Sequence, residues 1–155
     1  MRHSVRKEMM EDEHELRVPR NDEEWFALHA IRRKVLFENR GKRDTYTENH
    51  PDDVKADHHP LLLVHHGAVV GVIRIEVCEM VAWFRRVAIR EDLQRLGHGR
   101  MLLRLAEAFA KSEGCTEVRS NAAVDAVGFY EHCGYVRDFS APAPLNSVPV
   151  WKSLR

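Results

Sequence analysis

Residues 87–103 read VAIREDLQRLGHGRMLL. The first three end a β-rich strand, and from Gly97 onward an amphipathic helix begins. Between them stands Gln94-Arg95-Leu96-Gly97-His98-Gly99. Glycines there let the chain turn tightly and aim several backbone N–H groups outward. Those donors, together with the positive end of a helix, make an anion site. Arg95 and Arg100 add fixed positive charge. No Gly-Lys-Ser/Thr follows, so this is not a P-loop. Leu102 stands where a dinucleotide fingerprint needs its third glycine. The alternative reading is a plain glycine loop that opens a helix.

Working outward, residues 61–65, 68–78 and 81–89 are three β-rich runs joined by short links, an antiparallel meander. Before them, residues 14–20 read as a strand. Asn21 caps a helix whose apolar face carries Trp25, Leu28, Ile31, Leu36 and Phe37, stopped by Gly41. Residues 40–60 read as a long polar loop with one helical turn near 52–57. After the glycine loop, the helix from Gly97 ends at Glu113-Gly114. A strand at 115–120, a helix at 124–132, a strand at 135–139, a Pro-rich turn at 141–144 and a strand at 148–154 complete the chain. The order β-α-β-β-β-α-β-α-β-β predicts a mixed α/β (α+β) sheet with packed helices.

The chain has 155 residues and 18.0 kDa, one domain's worth. Surface scaling gives about 69% of the extended chain's area buried on folding, so one core suffices. Residues 14–155 are read as a single domain, and residues 1–13 as a charged, frayed segment without a secretory apolar run. Lys plus Arg is 24 and Asp plus Glu is 24. That balance argues against nucleic acid or a membrane surface as a dedicated partner. It leaves a homodimer open. Three scattered cysteines point to a reducing, cytoplasmic setting.

Two segments, VAIREDLQRLGHGRMLL and AVGFYEHCGYV (residues 126–136), together resemble the GCN5-related N-acetyltransferase (GNAT) superfamily. The first is similar to its acetyl-CoA signature, the second to the segment on its last helix. IRRKVLFENRG with HHPLLLV further resembles the branch of ElaA-like and acyl-homoserine-lactone-synthase-like proteins. The resemblance implies the acyl-CoA N-acyltransferase fold, with the fourth and fifth strands of the order above splayed apart. It implies an acetyl-CoA-dependent N-acetyltransferase acting on a primary amine, with a small-molecule acceptor, acetyl-CoA as co-substrate and no metal. Val87 and Ile89 would pair with the pantetheine arm, and an N–H near Val87 or Ala88 would polarise the thioester carbonyl. Backbone N–H groups of Gln94, Arg95, Leu96, Gly97, His98, Gly99 and Arg100 would hold the pyrophosphate. Tyr130 matches the tyrosine near the sulfur and would protonate the leaving thiolate. Asn121 would bond the pantetheine or the acceptor. Alternatives of the same fold are a CoA-binding sensor without turnover and an acyltransferase using another acyl-CoA.

The family often places a base where Trp83 and Arg85 stand, and neither can serve; Ala123 replaces a frequent amide side chain. Glu76 is the first candidate for the base, because alternation puts it on one face with Arg74 and Cys78. The competing reading makes it a cross-strand partner of Arg85 or Arg86. His98 stands where the family has an aliphatic residue. The pairs His58-His59 and His65-His66 do not suggest a metal, since neighbours in a strand point to opposite faces. Glu48, Asp52, Asp53 and Asp57 lie in the loop on the acceptor side, where acids would attract a cationic amine.

Overall fold

The computed structural model describes residues 8–142 and 144–155. Eight strands make one sheet: β1 (Glu8–Glu11), β2 (His14–Arg17), β3 (His58–His65), β4 (Ala68–Cys78), β5 (Val81–Ile89), β6 (Glu117–Ala123), β7 (Val136–Arg137) and β8 (Ser147–Ser153). They lie in the order β1-β2-β3-β4-β5-β6-β8-β7. Only β5 and β6 run parallel. Three helices, α1 (Asp22–Ile31), α2 (His98–Ser112) and α3 (Val127–His132), connect them. This is the expected mixed architecture with one strand more at its start.

The extra strand lies inside the stretch read as frayed. Residues 8–11 pair with β2, Met9 opposite Leu16 and Met10 opposite Glu15. The two-residue turn, Asp12-Glu13, has both φ angles positive, 51° and 59°. That backbone usually calls for Asn-Gly, so two acids hide the hairpin from sequence reading. Residues 1–7, the rest of that stretch, lie outside the described residues, as does residue 143 in the Pro-rich turn.

Asn21 caps α1 as expected, its side chain accepting from the Glu24 N–H at 2.9 Å. Glu24 accepts two bonds of 2.6 Å from the Arg17 guanidinium, tying the helix start to β2. The helix then widens to a π-helical turn at Arg32–Phe37, an irregularity common near functional sites. The loop after it folds into short 3₁₀ turns at Glu38–Arg40, Arg43–Thr45 and Pro51–Asp53. It ends at His58, three residues earlier than the apolar run Leu61 to Val64 suggested.

Strand alternation sorts the core. Leu61 and Leu63 of β3 join the cluster under α2 and α3, with Ile73, Phe84, Leu102, Phe109 and Val118. Leu62 and Val64 face the other way, onto Leu28 and Ile31 of α1. Helices therefore cover both faces. Burial of these aliphatic side chains is worth roughly 1.5–3 kcal/mol each.

The sheet opens in the middle. β5 and β6 pair only at Val81/Glu117, Ala82/Val118 and Trp83/Arg119. Beyond that β6 continues against β8, Ser120 opposite Val150 to Ala123 opposite Ser147, and β5 continues against β4. The two strands form a V whose free margin on β5 is residues 84–89. At the apex the Ser120 hydroxyl donates to the Phe84 carbonyl at 2.8 Å. Along the margin Arg85 pairs with Arg74 but Ala88 with Val72, so Arg86 and Val87 together oppose Ile73. This β-bulge puts Arg86 at φ 55°. Gly71 accommodates it: a Cβ there would lie 2.7 Å from Ile89 Cδ1 and 3.1 Å from the Ala88 oxygen.

Candidate active site

The glycine loop sits at the open end of the V. Arg95 has φ 65°, and Gly97 caps α2 at φ 91°, ψ −1°. Among the described residues no side chain hydrogen-bonds that cap. The first intrahelical bond runs from Met101 N–H to the Gly97 oxygen, so the N–H groups of His98, Gly99 and Arg100 point out of the helix mouth. A Cβ on Gly99 would meet Phe129 Cζ at 3.0 Å and Ile89 Cγ1 at 3.7 Å, so the mouth lies close against both β5 and α3. Leu96 is exposed. The Gln94 side chain donates to the Ile89 carbonyl at 3.1 Å, fastening the loop to the end of β5. The arrangement fits a diphosphate at the helix mouth and an extended arm along residues 87–89.

His98 departs from this pattern in its side chain. Its imidazole turns away from the mouth and is buried against β2 and β3, 2.8 Å from His14 Nε2. Burial and the nearby His14 and His65 rings lower its pKa.

Tyr130 is buried under α3 and packs edge-on against Phe129 and Tyr135. Against its burial, Ser120, the residue that braces the apex, lowers the pKa of the Tyr130 hydroxyl. Burial pushes the phenol up to about 12, so it keeps its proton throughout the neutral range. Ser120, a buried polar residue at the same apex, was not singled out by sequence reading; the β alternation of residues 117–123 was its only signal. Asn121 belongs to β6 itself, opposite Pro149, and alternates onto the face away from Ser120.

The α1 face is charged. Asp53 accepts from Arg32 at 2.8 and 3.0 Å and from Arg74 at 3.3 Å, all three buried. Burial pulls the Asp53 carboxyl upward, but the two guanidiniums hold it below its ordinary value. Tyr46 bonds His29 at 2.5 Å and Arg32 at 3.4 Å. Glu76 accepts from Arg74 Nε at 2.8 Å and from Arg85 Nε at 3.3 Å, the cross-strand ion pair that competed with its reading as a base. The acids of the 45–59 loop are largely matched: Glu48 bonds Arg33 and Asp52 bonds Lys55. Arg86 lies over the Phe37 ring at 4.9 Å, and among the described residues its guanidinium has no hydrogen bond or ion pair. Burial, Arg74 and Arg32 lower its pKa. The Cys115 and Cys133 thiols are also pushed up by burial, which makes them poor nucleophiles.

Among the described residues no helix is long and apolar enough to cross a membrane. Comparison with known proteins agrees with the V and its glycine mouth. A "Putative acetyltransferase" of Bacillus subtilis (strain 168) is 23% identical over 129 residues, 83% of this chain and 87% of its own. A crystal structure of a "putative N-acetyltransferase" from Lactobacillus plantarum superposes with TM-score 0.76 at 26% identity, covering 93% of this chain and all of the other. The PaiA N-acetyltransferase of Thermoplasma acidophilum, solved in complex with coenzyme A, shares the fold at TM-score 0.72 and 18% identity over 90% of this chain and 98% of its own. The model of the Acetyltransferase (GNAT) family matches residues 11–135, from the end of β1 through α3, and with both the glycine mouth and the opened strands inside that span the chain belongs to this family.

Proposed function

We propose that the protein is an acetyl-CoA-dependent N-acetyltransferase whose acceptor is a small primary amine carrying an anionic group. The observation that carries the transfer reading is the V between β5 and β6 with an uncapped helix mouth at its open end and a protonated tyrosine at its apex. Acetyl-CoA supplies the activated acyl carbon. Backbone N–H groups of residues 97–100 bind the diphosphate, and the free margin of Val87 and Ile89 orients the pantetheine arm. An N–H of the bulge, at Val87 or Ala88, polarises the thioester carbonyl. As the amine forms its bond to the carbonyl carbon and the C–S bond breaks, Tyr130 hands its proton to the sulfur. The amine's own proton leaves through solvent, which returns a proton to Tyr130. Glu76, held by two guanidiniums, is better placed to orient Arg85 than to take that proton.

Arg86 supports the anionic acceptor. A desolvated guanidinium beside the bulge, with its neighbours Arg32 and Arg74 already using Asp53, favours a carboxylate or phosphate on the incoming amine. The test is CoA release with a panel of amines in which each carboxylated member is matched by its decarboxylated analogue. Turnover favouring the carboxylated member supports the reading. Binding of acetyl-CoA without turnover on any amine would favour the sensor alternative. A melting temperature indifferent to millimolar acetyl-CoA would remove both, since a ligand of the folded state must stabilise it.

A further inference from the structure

The imidazole of His98 is not alone. His14 of β2 and His65 of β3 are direct cross-strand partners, and their rings stack with centroids 4.1 Å apart. The first residue of α2 brings His98 onto the same spot, its ring 5.0 Å from each of the other two. One ring nitrogen from each lies within 4.8 Å of the others. His14 and His98 are buried and His65 half-buried. We propose that His14, His65 and His98 bind a divalent first-row transition-metal ion of the Zn²⁺ type, one nitrogen from each ring, independently of acyl transfer.

The hydrogen bonds around the cluster favour a ligand set over plain packing. His14 Nδ1 lies 2.9 Å from the Asp12 carbonyl, which only accepts, so Nδ1 carries the proton and Nε2 presents a lone pair to the cluster. A metal-bound imidazole is commonly held in this way by a carbonyl on its other nitrogen. The single proton between His14 Nε2 and His98 Nδ1 then belongs to His98. Moving it to His98 Nε2, a change of tautomer with no net proton loss, frees Nδ1 as the second ligand. Two Zn–N bonds of about 2.0–2.1 Å at a tetrahedral angle set the nitrogens roughly 3.3 Å apart. The 2.8 Å pair therefore has to open by only about half an ångström, while His65 tilts off its stack. Three histidines leave a fourth tetrahedral position to water or another ligand. The Glu13 carboxylate of the preceding turn is paired with His66 at 3.2 Å.

The site joins β2, β3 and the first turn of α2, so the ion would brace the sheet edge against the helix that carries the glycine mouth. The test is competition for Zn²⁺ between the tag-free full chain and a chromophoric chelator, together with the melting temperature. One Zn²⁺ per chain and a raised melting temperature are expected. Affinity should fall at least about tenfold in His65→Gln and in His98→Leu, and stay within about twofold in His58→Asn. Should the buried His98 variant fail to fold, the half-buried His65→Gln decides alone. No saturable binding in the wild type, binding unmoved by His65→Gln, or equal loss in His58→Asn would each overturn the proposal.

Discussion

On the side of α2 and α3 the sheet buries Leu61, Leu63, Ile73, Ile75, Phe84 and Val118, whereas on the side of α1 it buries Arg74 beside Arg32 and Asp53. The apolar side supports the elements that would hold acetyl-CoA: α2, its glycine mouth, and α3 with Tyr130. Those elements would act through backbone N–H groups and one hydroxyl, and would need only a rigid frame. The α1 side supports the region where the acceptor would enter; beside its own apolar cluster of Leu28, Ile31, Leu62, Val64 and Val72 it holds guanidiniums and carboxylates that must be matched one by one. One face therefore tolerates exchange of one aliphatic residue for another of similar volume. The other carries a charge sum that a single substitution upsets.

That contrast is most easily broken at Asp53. In Asp53→Ala the buried Arg32 loses its carboxylate partner, and Arg74 is left with Glu76 and the longer contact to Asp52. Uncompensated buried charge costs about 3–5 kcal/mol, to be read as a loss of unfolding free energy in urea. A loss below about 1 kcal/mol would mean that water already screens the pair. On the opposite face Tyr130→Phe leaves the packing intact and removes only the proton. It should lower kcat about a hundredfold or more while acetyl-CoA affinity stays within about twofold. Because the phenol sits at about 12, the wild-type rate should show no falling limb from Tyr130 up to pH 10. A falling limb below pH 10 that disappears in Tyr130→Phe would contradict the buried, protonated phenol.

Two further substitutions separate the two sides of the reaction. Arg86→Gln should raise KM for a carboxylated amine about tenfold, a charge-assisted bond of about 1.5 kcal/mol, without changing KM for acetyl-CoA. Gly97→Ala should do the reverse. A Cβ at φ 91° costs about 1–2 kcal/mol, so acetyl-CoA binding weakens about tenfold while acceptor KM holds. Parallel changes in both constants would show that the two faces are not separable.

The smallest effect concerns the clamp between β2 and α1. The Arg17 guanidinium holds the Glu24 carboxyl at about 2, below its ordinary 4.5. The folded-state value is the lower one, so this contribution is complete above pH 4.5 and is lost as pH falls toward 2. Wild type and Glu24→Gln should therefore differ in melting temperature at pH 6 and converge only as pH falls to about 2. A constant difference would place the effect in capping rather than charge.

The apolar side was legible in the sequence because its demands are local. Gly97 and Gly99 are needed where they stand, and the 3.6-residue repeat of Leu102, Leu105, Ala106 and Phe109 names its own face. The meander was legible for the same reason, by alternation. The charged side was not. Arg32 and Arg74 meet Asp53 only after the π-helical turn and the 51–53 turn fold over the sheet, and nothing in the spacing of those residues announces it. Reading the 45–59 loop as an attractor of cations counted its acids without the guanidiniums that match them. The first strand was hidden by an Asp-Glu turn in a left-handed backbone, and the bulge by an arginine at φ 55°. His98 was read from its place in the loop, whereas its side chain is set by two histidines more than thirty positions away in the chain.

The central claim is that backbone N–H groups at the mouth of α2 and along the free margin of β5 hold the CoA chain. Amide hydrogen exchange, resolved by residue with and without acetyl-CoA, tests it most directly. The account predicts added protection at residues 87–89 and 97–100, with β3 and β4 unchanged. Protection confined to other strands, or none at those two segments while acetyl-CoA is bound, would contradict it.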